Sequence, residues 1–120
     1  MKSLLMLSFL LLVSCATGSR DPGLALAGEW LYEDRVQSCR YLFNKDGTFS
    51  GEVRQRGETL SRFTGKWEVR GDELHYEYTG DALGRIPSGT RDRDKLLKTD
   101  RREFLIEASD GSQRTYRRIG

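Results

Sequence analysis

From Glu29 onward, apolar and polar residues alternate in short runs. Successive side chains of a β-strand point to opposite faces, so this period of two is typical of strands that bury one face. Glycine, aspartate and asparagine separate the runs, and helical periodicity is almost absent. The predicted inward residues of eight strands are, in chain order, Trp30 and Tyr32; Cys39, Tyr41 and Phe43; Phe49, Gly51 and Val53; Ser61, Phe63, Gly65, Trp67 and Val69; Leu74, Tyr76 and Tyr78; Leu96 or Leu97; Phe104, Ile106 and Ala108; and Tyr116 within 113–119.

The turns between these runs are mostly short, so neighbouring strands are expected to pair in chain order. Closing such a sheet removes its two exposed edges. The sequence therefore predicts an all-β fold, a small eight-stranded antiparallel up-and-down barrel.

In a closed barrel with an even number of strands, the last strand runs antiparallel to the first. Arg117 or Arg118 should then meet Trp30, and we favour Arg118, because it shares the parity of Tyr116 and can cover the indole face.

The amino-terminal segment differs from the rest of the chain. Met1-Lys2-Ser3 precedes an apolar run, 4–13, that is too short to span a bilayer and is typical of a signal peptide. Leu12-Val13-Ser14-Cys15 resembles the lipobox of bacterial lipoproteins, which implies a signal peptide at 1–14 and lipid on Cys15. The alternative is cleavage at another position, without lipid.

Residues 15–27 contain Gly18, Ser19, Pro22 and Gly23 and are expected to form a lipidated tether. The resemblance implies acylation with fatty acids such as palmitate, and two or three such chains hold a protein durably on a membrane. Ala16 stands where enterobacterial sorting to the inner membrane uses aspartate, which favours an outer-membrane lipoprotein facing the periplasm of the bacterial cell envelope.

The composition limits the remaining functions. A chain of 120 residues with two cysteines has room for one domain and cannot form a disulfide-stapled miniprotein. Its formal charge of +2 argues against nucleic-acid binding by bulk charge. If Cys15 carries lipid, Cys39 has no cysteine partner and is expected to be a buried, inert thiol; without lipid, a Cys15–Cys39 bridge becomes possible.

Several motifs of the predicted barrel region resemble those of one known group. Gly28-Glu29-Trp30 together with Arg118 resembles the Gly-x-Trp start and closing arginine of lipocalin and wider calycin barrels. Small bacterial lipocalin-like lipoproteins are more similar still, through 43–49, 65–69 and Asp110-Gly111-Ser112. The resemblance implies a lipocalin-like barrel domain at 28–120. Its strands are shorter than those of a full lipocalin, which argues against a deep ligand cup.

The aromatic inward face is compatible with either a filled core or the wall of a ligand cavity. Tyrosines are the preferred ligand candidates, because a buried phenol needs a hydrogen-bond partner. The segment 80–92 lacks a strand pattern and is either a lid over the barrel mouth or a solvated crossover. The candidate ligand-binding residues are Tyr41, Phe43, Trp67, Tyr76, Tyr78 and Ile86.

Catalysis has little support in the sequence. His75 is the only histidine, and alternation places it on the outward face, so neither a metal site nor haem ligation is expected. No nucleophile-elbow or phosphate-loop motif is present. The carboxylates at Asp92, Asp94 and nearby positions alternate with basic residues and are expected to form a solvated face. We therefore expect a protein that is not an enzyme and has no cofactor.

Two functions agree with these features. The first is a membrane-anchored, lipocalin-like lipoprotein that binds a small amphiphilic or apolar ligand at its open end. The alternative is a protein-interaction module that binds an envelope protein. Bacterial inhibitors of secreted metalloproteases resemble this chain in having a small barrel after a tether, and 26–30 is compatible with such a start. Those inhibitors usually carry an internal disulfide, which the mature chain here would lack.

Overall fold

The computed structural model describes residues 25–120, so the expected signal peptide, Cys15 and the tether up to residue 24 lie outside the described residues. Eight strands form one closed barrel in which each strand pairs antiparallel with its neighbour in sequence, and β1 pairs with β8. The predicted eight-stranded up-and-down barrel is confirmed. No helix within 25–120 has both the length and the hydropathy needed to cross a bilayer. The strands are β1 (Gly28–Glu33), β2 (Gln37–Phe43), β3 (Thr48–Gln55), β4 (Glu58–Arg70), β5 (Glu73–Asp81), β6 (Arg91–Thr99), β7 (Glu103–Glu107) and β8 (Gln113–Arg118).

The tight turns use residues that the turn geometry requires. Between β3 and β4, Arg56 and Gly57 both have positive φ, at 51° and 82°, as a type I′ hairpin turn demands. Between β2 and β3, Gly47 has φ of 91°, and the Asp46 carboxylate accepts hydrogen bonds from the Thr48 backbone N–H and hydroxyl. These turns fix the register of the long central hairpins.

Strand β4 is irregular next to Gly65. Its pairing with β5 shifts register between Thr64 and Gly65, which marks a local irregularity in the strand. A side chain at Gly65 would collide with the Glu77 carbonyl oxygen and the ring of Phe49. Glycine therefore allows β5 and a buried aromatic ring to approach β4 closely at this position.

One end of the barrel, where β1 begins, is filled by large side chains. Trp30, Phe43, Phe49 and Phe104 are at most 2% exposed, and the rings of Trp30 and Phe104 meet edge to face with centroids 4.8 Å apart. Leu26 covers this end: it is buried, and its carbonyl accepts a 2.9 Å hydrogen bond from the Trp30 indole N–H. The last residues of the expected tether, 25–27, thus pack against the barrel.

Arg118 lies at the seam between the first and last strands. It pairs with Trp30 in the β1–β8 ladder, and its guanidinium carbon lies 4.3 Å from the centroid of the Trp30 ring system. The same guanidinium donates hydrogen bonds to the carbonyls of Ala25, Ala27 and Arg101, at 2.8, 2.9 and 2.7 Å. One side chain therefore joins the segment before β1, the β6–β7 turn and the last strand.

Replacing Arg118 with alanine is expected to lower the free energy of unfolding by about 2–4 kcal/mol, because a cation–π contact and several charged hydrogen bonds are lost together. Arg117→Ala is the matched control, since Arg117 is exposed and makes a surface ion pair with Glu33 at 3.2 Å, a contact usually worth under about 1 kcal/mol. Urea unfolding followed by tryptophan fluorescence measures both. Equal effects of the two substitutions would contradict the role given to Arg118.

Candidate functional site

The other end of the barrel, where β1 ends and β2 begins, contains an open cavity of ≈ 500 Å³. We call it the mouth cavity. Its floor and walls combine aromatic and aliphatic side chains with polar groups from seven strands, β2 to β8, from the loop 82–90 and from the β7–β8 turn. The residues used below are Cys39, Tyr41, Phe63, Tyr78, Arg85, Ile86, Asp92, Asp94, Ile106, Ala108, Arg114 and Tyr116. The rings at its floor are themselves buried, with Tyr41, Phe63 and Tyr116 at most 7% exposed, so the barrel has a filled core and the cavity is a shallow pocket at its mouth.

The structure divides the six candidate ligand residues into two groups. Tyr41, Tyr78 and Ile86 line the mouth cavity. Phe43 is buried among other rings at the packed end and does not reach the cavity. Trp67 is also in that half, and its indole N–H donates to the Asn44 carbonyl at 2.9 Å.

Tyr76, the remaining candidate, lies directly behind the cavity wall. It is 4% exposed, and its ring stacks on Tyr41 with centroids 5.7 Å apart. Its hydroxyl donates a 2.9 Å hydrogen bond to the Asp94 carboxylate, which does face the cavity. Tyr76 therefore supports a cavity residue and is not itself part of the lining.

Of the segment 80–92, expected to be a lid or a crossover, only 82–90 is a loop, because β5 extends to Asp81 and β6 begins at Arg91. This loop crosses the mouth and places Ile86 against the core. Asp81 organises the loop. Its carboxylate accepts hydrogen bonds from the Ser61 hydroxyl, at 2.6 Å, and from the backbone N–H groups of Arg62, Leu83, Arg85 and Ile86. Desolvation opposes ionisation, but these donors outweigh it and lower the pKa of Asp81 to about 2. The loop is therefore tied to β4 and β5 at neutral pH.

Asp94 corrects the prediction of a solvated face, whereas Asp92 is exposed as predicted. Both belong to the inward face of β6, because Tyr76 pairs with Asp92 and Leu74 pairs with Asp94. Asp92 is exposed at the rim of the mouth cavity, whereas Asp94 is half-buried, and burial raises the pKa of its carboxyl group. Tyr76 and Arg114 act in the opposite direction on that pKa, through a hydrogen bond and through charge.

A signal for this orientation was present in the sequence. Leu96 packs against the core, while Leu97 is 39% exposed, so Leu96 is the inward residue of the pair left open above. Asp94 and Asp92 lie two and four residues before Leu96, so all three side chains belong to the inward face of β6. Arg114 shares the parity of Tyr116 in the same way, and it also lines the cavity.

The nucleophilic and phenolic groups of the cavity are all held in their neutral forms. Burial raises the pKa of the Cys39 thiol to about 11, and it raises the pKa values of Tyr41 and Tyr116 well above their ordinary value. Cys39 is 6% exposed and makes no disulfide within the described residues. The cavity thus offers hydroxyl groups and a thiol, but no thiolate at neutral pH.

His75 lies outside the cavity, as its parity predicted. Its Nε2 atom is 3.1 Å from Glu73 Oε1, on the outer surface of β5. Across residues 25–120, no group of three or more histidine, cysteine, aspartate or glutamate side chains is arranged to hold a metal ion.

No family model matches this sequence, and no curated protein matches it. Among solved structures, the chain is similar to a lipocalin-like protein from Bacteroides uniformis ATCC 8492. The two share 21% sequence identity with a TM-score of 0.59, and the match covers 79% of this chain and 99% of the other. Together with the closed eight-stranded barrel, this similarity shows that the chain has a lipocalin-like fold, as the resemblance in the sequence implied.

Cys39 is expected to react slowly with iodoacetamide. With a pKa of about 11, the thiolate fraction at pH 7.5 is about 300-fold below that of an ordinary cysteine, whose pKa is ~8.5. The rate should rise about tenfold for each pH unit up to about pH 10, provided that the barrel stays folded. Mass spectrometry of a chain carrying Cys15→Ser measures this rate at Cys39 alone. Labelling in the folded state as fast as in urea would show that the thiol is not protected.

Proposed function

We propose that this protein is a non-enzymatic binding protein that takes one small amphiphilic molecule into the mouth cavity. The observation that carries the proposal is the mouth cavity itself: ≈ 500 Å³, lined by aromatic rings and bordered by carboxylates and two arginines. Cavities of about 300–1,000 Å³ with mainly apolar walls and a few polar groups are typical of small-molecule sites. A lipocalin-like fold agrees with this use but does not identify the ligand.

The arrangement favours a ligand with an apolar body and a polar end. Phe63, Ile106 and the ring of Tyr41 offer apolar contact inside, whereas Asp92, at the rim, remains solvated. Burying an apolar body gains about 0.8 kcal/mol per methylene, and association costs roughly 4–15 kcal/mol in lost freedom of motion. A ligand of about ten carbon atoms would then bind with modest affinity, which suits a shallow, open site.

We further propose that the barrel is held at a membrane through lipid on Cys15. The support is the lipobox-like sequence 12–15 and the apolar run before it. The expected location is the outer membrane of a bacterial cell envelope, with the barrel facing the periplasm. The described chain enters the barrel at its packed end, next to Leu26, so the mouth cavity opens at the end opposite the tether.

The alternative, a metalloprotease-inhibitor-like module, has less support. Such a module needs a free segment before the first strand that can enter a partner's cleft. Here, Leu26 is buried, and Arg118 binds the carbonyls of both Ala25 and Ala27. The described part of that segment is therefore occupied by contacts with the barrel itself.

Filling the mouth cavity should abolish ligand binding without unfolding the barrel. Ala108→Trp places an indole in the cavity and is expected to weaken binding of 4-phenylbutanol at least about tenfold, or ~1.4 kcal/mol. Leu97→Trp is the matched control, because Leu97 is exposed on β6. Titration calorimetry on the full chain in lipid nanodiscs, with empty nanodiscs subtracted, measures both. If both variants bind as the parent does, the mouth cavity is not the binding site.

Cys15→Ser is expected to move the protein from the membrane fraction to the soluble fraction and to remove metabolic labelling by palmitate. The reason is that a serine hydroxyl cannot form the thioether that carries the diacylglycerol. Cys39→Ser is the control and should keep both the label and the membrane fractionation, because Cys39 is buried inside the barrel. Labelling that persists in Cys15→Ser would contradict the proposed anchor.

A further inference from the structure

We propose that the mouth cavity selects organic cations, namely amines with an apolar body, whose ammonium group lies between the carboxylates of Asp92 and Asp94. This inference rests on the proposed function and specifies the class of ligand. The two aspartates are two residues apart on the inward face of β6, so their side chains project to the same side.

Neither carboxylate forms an ion pair with a side chain of the described residues. No lysine, arginine or histidine within residues 25–120 lies within 4.0 Å of Asp92 or Asp94, although eight other ion pairs form in that range. Asp94 accepts the Tyr76 hydroxyl proton on Oδ2, and Asp92 accepts the backbone N–H of Arg93 on Oδ1. A half-buried carboxylate without a cation is unfavourable, and a bound ammonium would remove that cost.

The two arginines of the cavity do not fill this role. Arg85 is exposed on the loop 82–90 and makes no ion pair with a described residue. Arg114 is directed to the β8–β1 side, where its guanidinium carbon lies 5.7 Å from the centroid of the Tyr32 ring. Burial raises the pKa of the Asp94 carboxyl group, and the positive charge of Arg114 opposes that rise.

The tyrosines beside the aspartates add a second attraction for a cation. Tyr41 is 7% exposed, and its ring forms part of a cluster with Phe63, Tyr76 and Tyr116. The Tyr41 side chain is hydrogen-bonded to both Cys39 and Tyr78, so these polar groups already have partners and the tyrosines attract a cation through their ring faces. Aromatic faces attract ammonium groups directly.

A metal ion is a poorer occupant than an organic cation. The described residues provide no three-membered set of carboxylate, thiolate or imidazole ligands at this place. The Cys39 thiol is held protonated by burial, with a pKa of about 11, and it is therefore a weak metal ligand. Aromatic walls and two carboxylates instead match the shape and charge of an amine with an apolar body.

Three probes of nearly equal size separate charge from shape: 4-phenylbutylamine, 4-phenylbutanol and 4-phenylbutyrate. Each is titrated into the full chain in lipid nanodiscs at pH 7.5, with empty nanodiscs subtracted. The amine is expected to bind at least about tenfold more tightly than the alcohol, and the carboxylate more weakly than the alcohol. Amine binding should also weaken with added salt, because the rim is exposed.

Substitutions of the two aspartates test whether their carboxylates cause the preference for the amine. Asp94→Asn keeps an acceptor for the Tyr76 hydroxyl and should lower the affinity for the amine about tenfold, while the affinity for the alcohol stays within about twofold. Asp92→Asn, at the exposed rim, gives a second test that does not depend on core packing. Asp46→Asn is the matched control, because Asp46 caps a turn outside the mouth cavity, and it should change no affinity.

The outcomes distinguish the two proposals. Tighter binding of the amine that is lost in both aspartate variants supports selection of a cation. Equal or tighter binding of the alcohol or the carboxylate, still sensitive to Ala108→Trp, would overturn the selection of amines and leave the binding function in place. If none of the three probes binds, the proposed binding function fails as well.

Discussion

The structure depends on the contact between Trp30 and Arg118, because it closes the sheet. An open eight-stranded meander would leave two edges with unpaired backbone groups. The β1–β8 ladder is short, with Trp30 opposite Arg118 and Leu31 opposite Arg117, so few backbone hydrogen bonds join the first and last strands. The guanidinium over the indole, with its hydrogen bonds to Ala25, Ala27 and Arg101, adds side-chain contacts where the ladder is weakest.

The contact between Trp30 and Arg118 lies at one end of the barrel. Trp30 belongs to the packed half, together with Leu26, Phe43, Phe49 and Phe104, all at most 2% exposed. The rings at the other end, Tyr41, Phe63 and Tyr116, are also largely buried, and the mouth cavity lies over them. The cavity is bordered by the loop 82–90, which Asp81 ties to the barrel. The closing contact and the open cavity therefore lie at opposite ends of one small barrel.

Charge, more than apolar surface, distinguishes the mouth cavity from a simple hydrophobic cup. The carboxylates of Asp92 and Asp94 face a cavity whose thiol and phenols are all neutral, and the arginine opposite them lies over another ring. In a partly enclosed site such charges interact more strongly than in water. Our proposal of a cationic ligand rests on this arrangement, whereas the proposal of ligand binding rests on the cavity itself.

The sequence by itself determined the strands, their order and the face of most side chains, with β6 as the exception. Alternation predicted eight strands, and the even strand number together with Tyr116 led to Arg118 as the partner of Trp30. The face of a side chain is a local property, because side chains alternate between the two faces along each strand. The order of the strands is a topological property of the sheet.

Only the tertiary structure decided where each residue lies along the barrel axis, at the packed end or at the mouth. Phe43 and Tyr41 share a face, yet one is packed and the other lines the cavity. Lys95 pairs with Glu73 at the start of β5 and with Glu107 at the end of β7, so β5 and β7 are offset along the barrel axis. Because of this stagger, Asp94 lies at the mouth end. Stagger is set by how eight tilted strands close on one another, a property of the whole sheet that no single strand encodes.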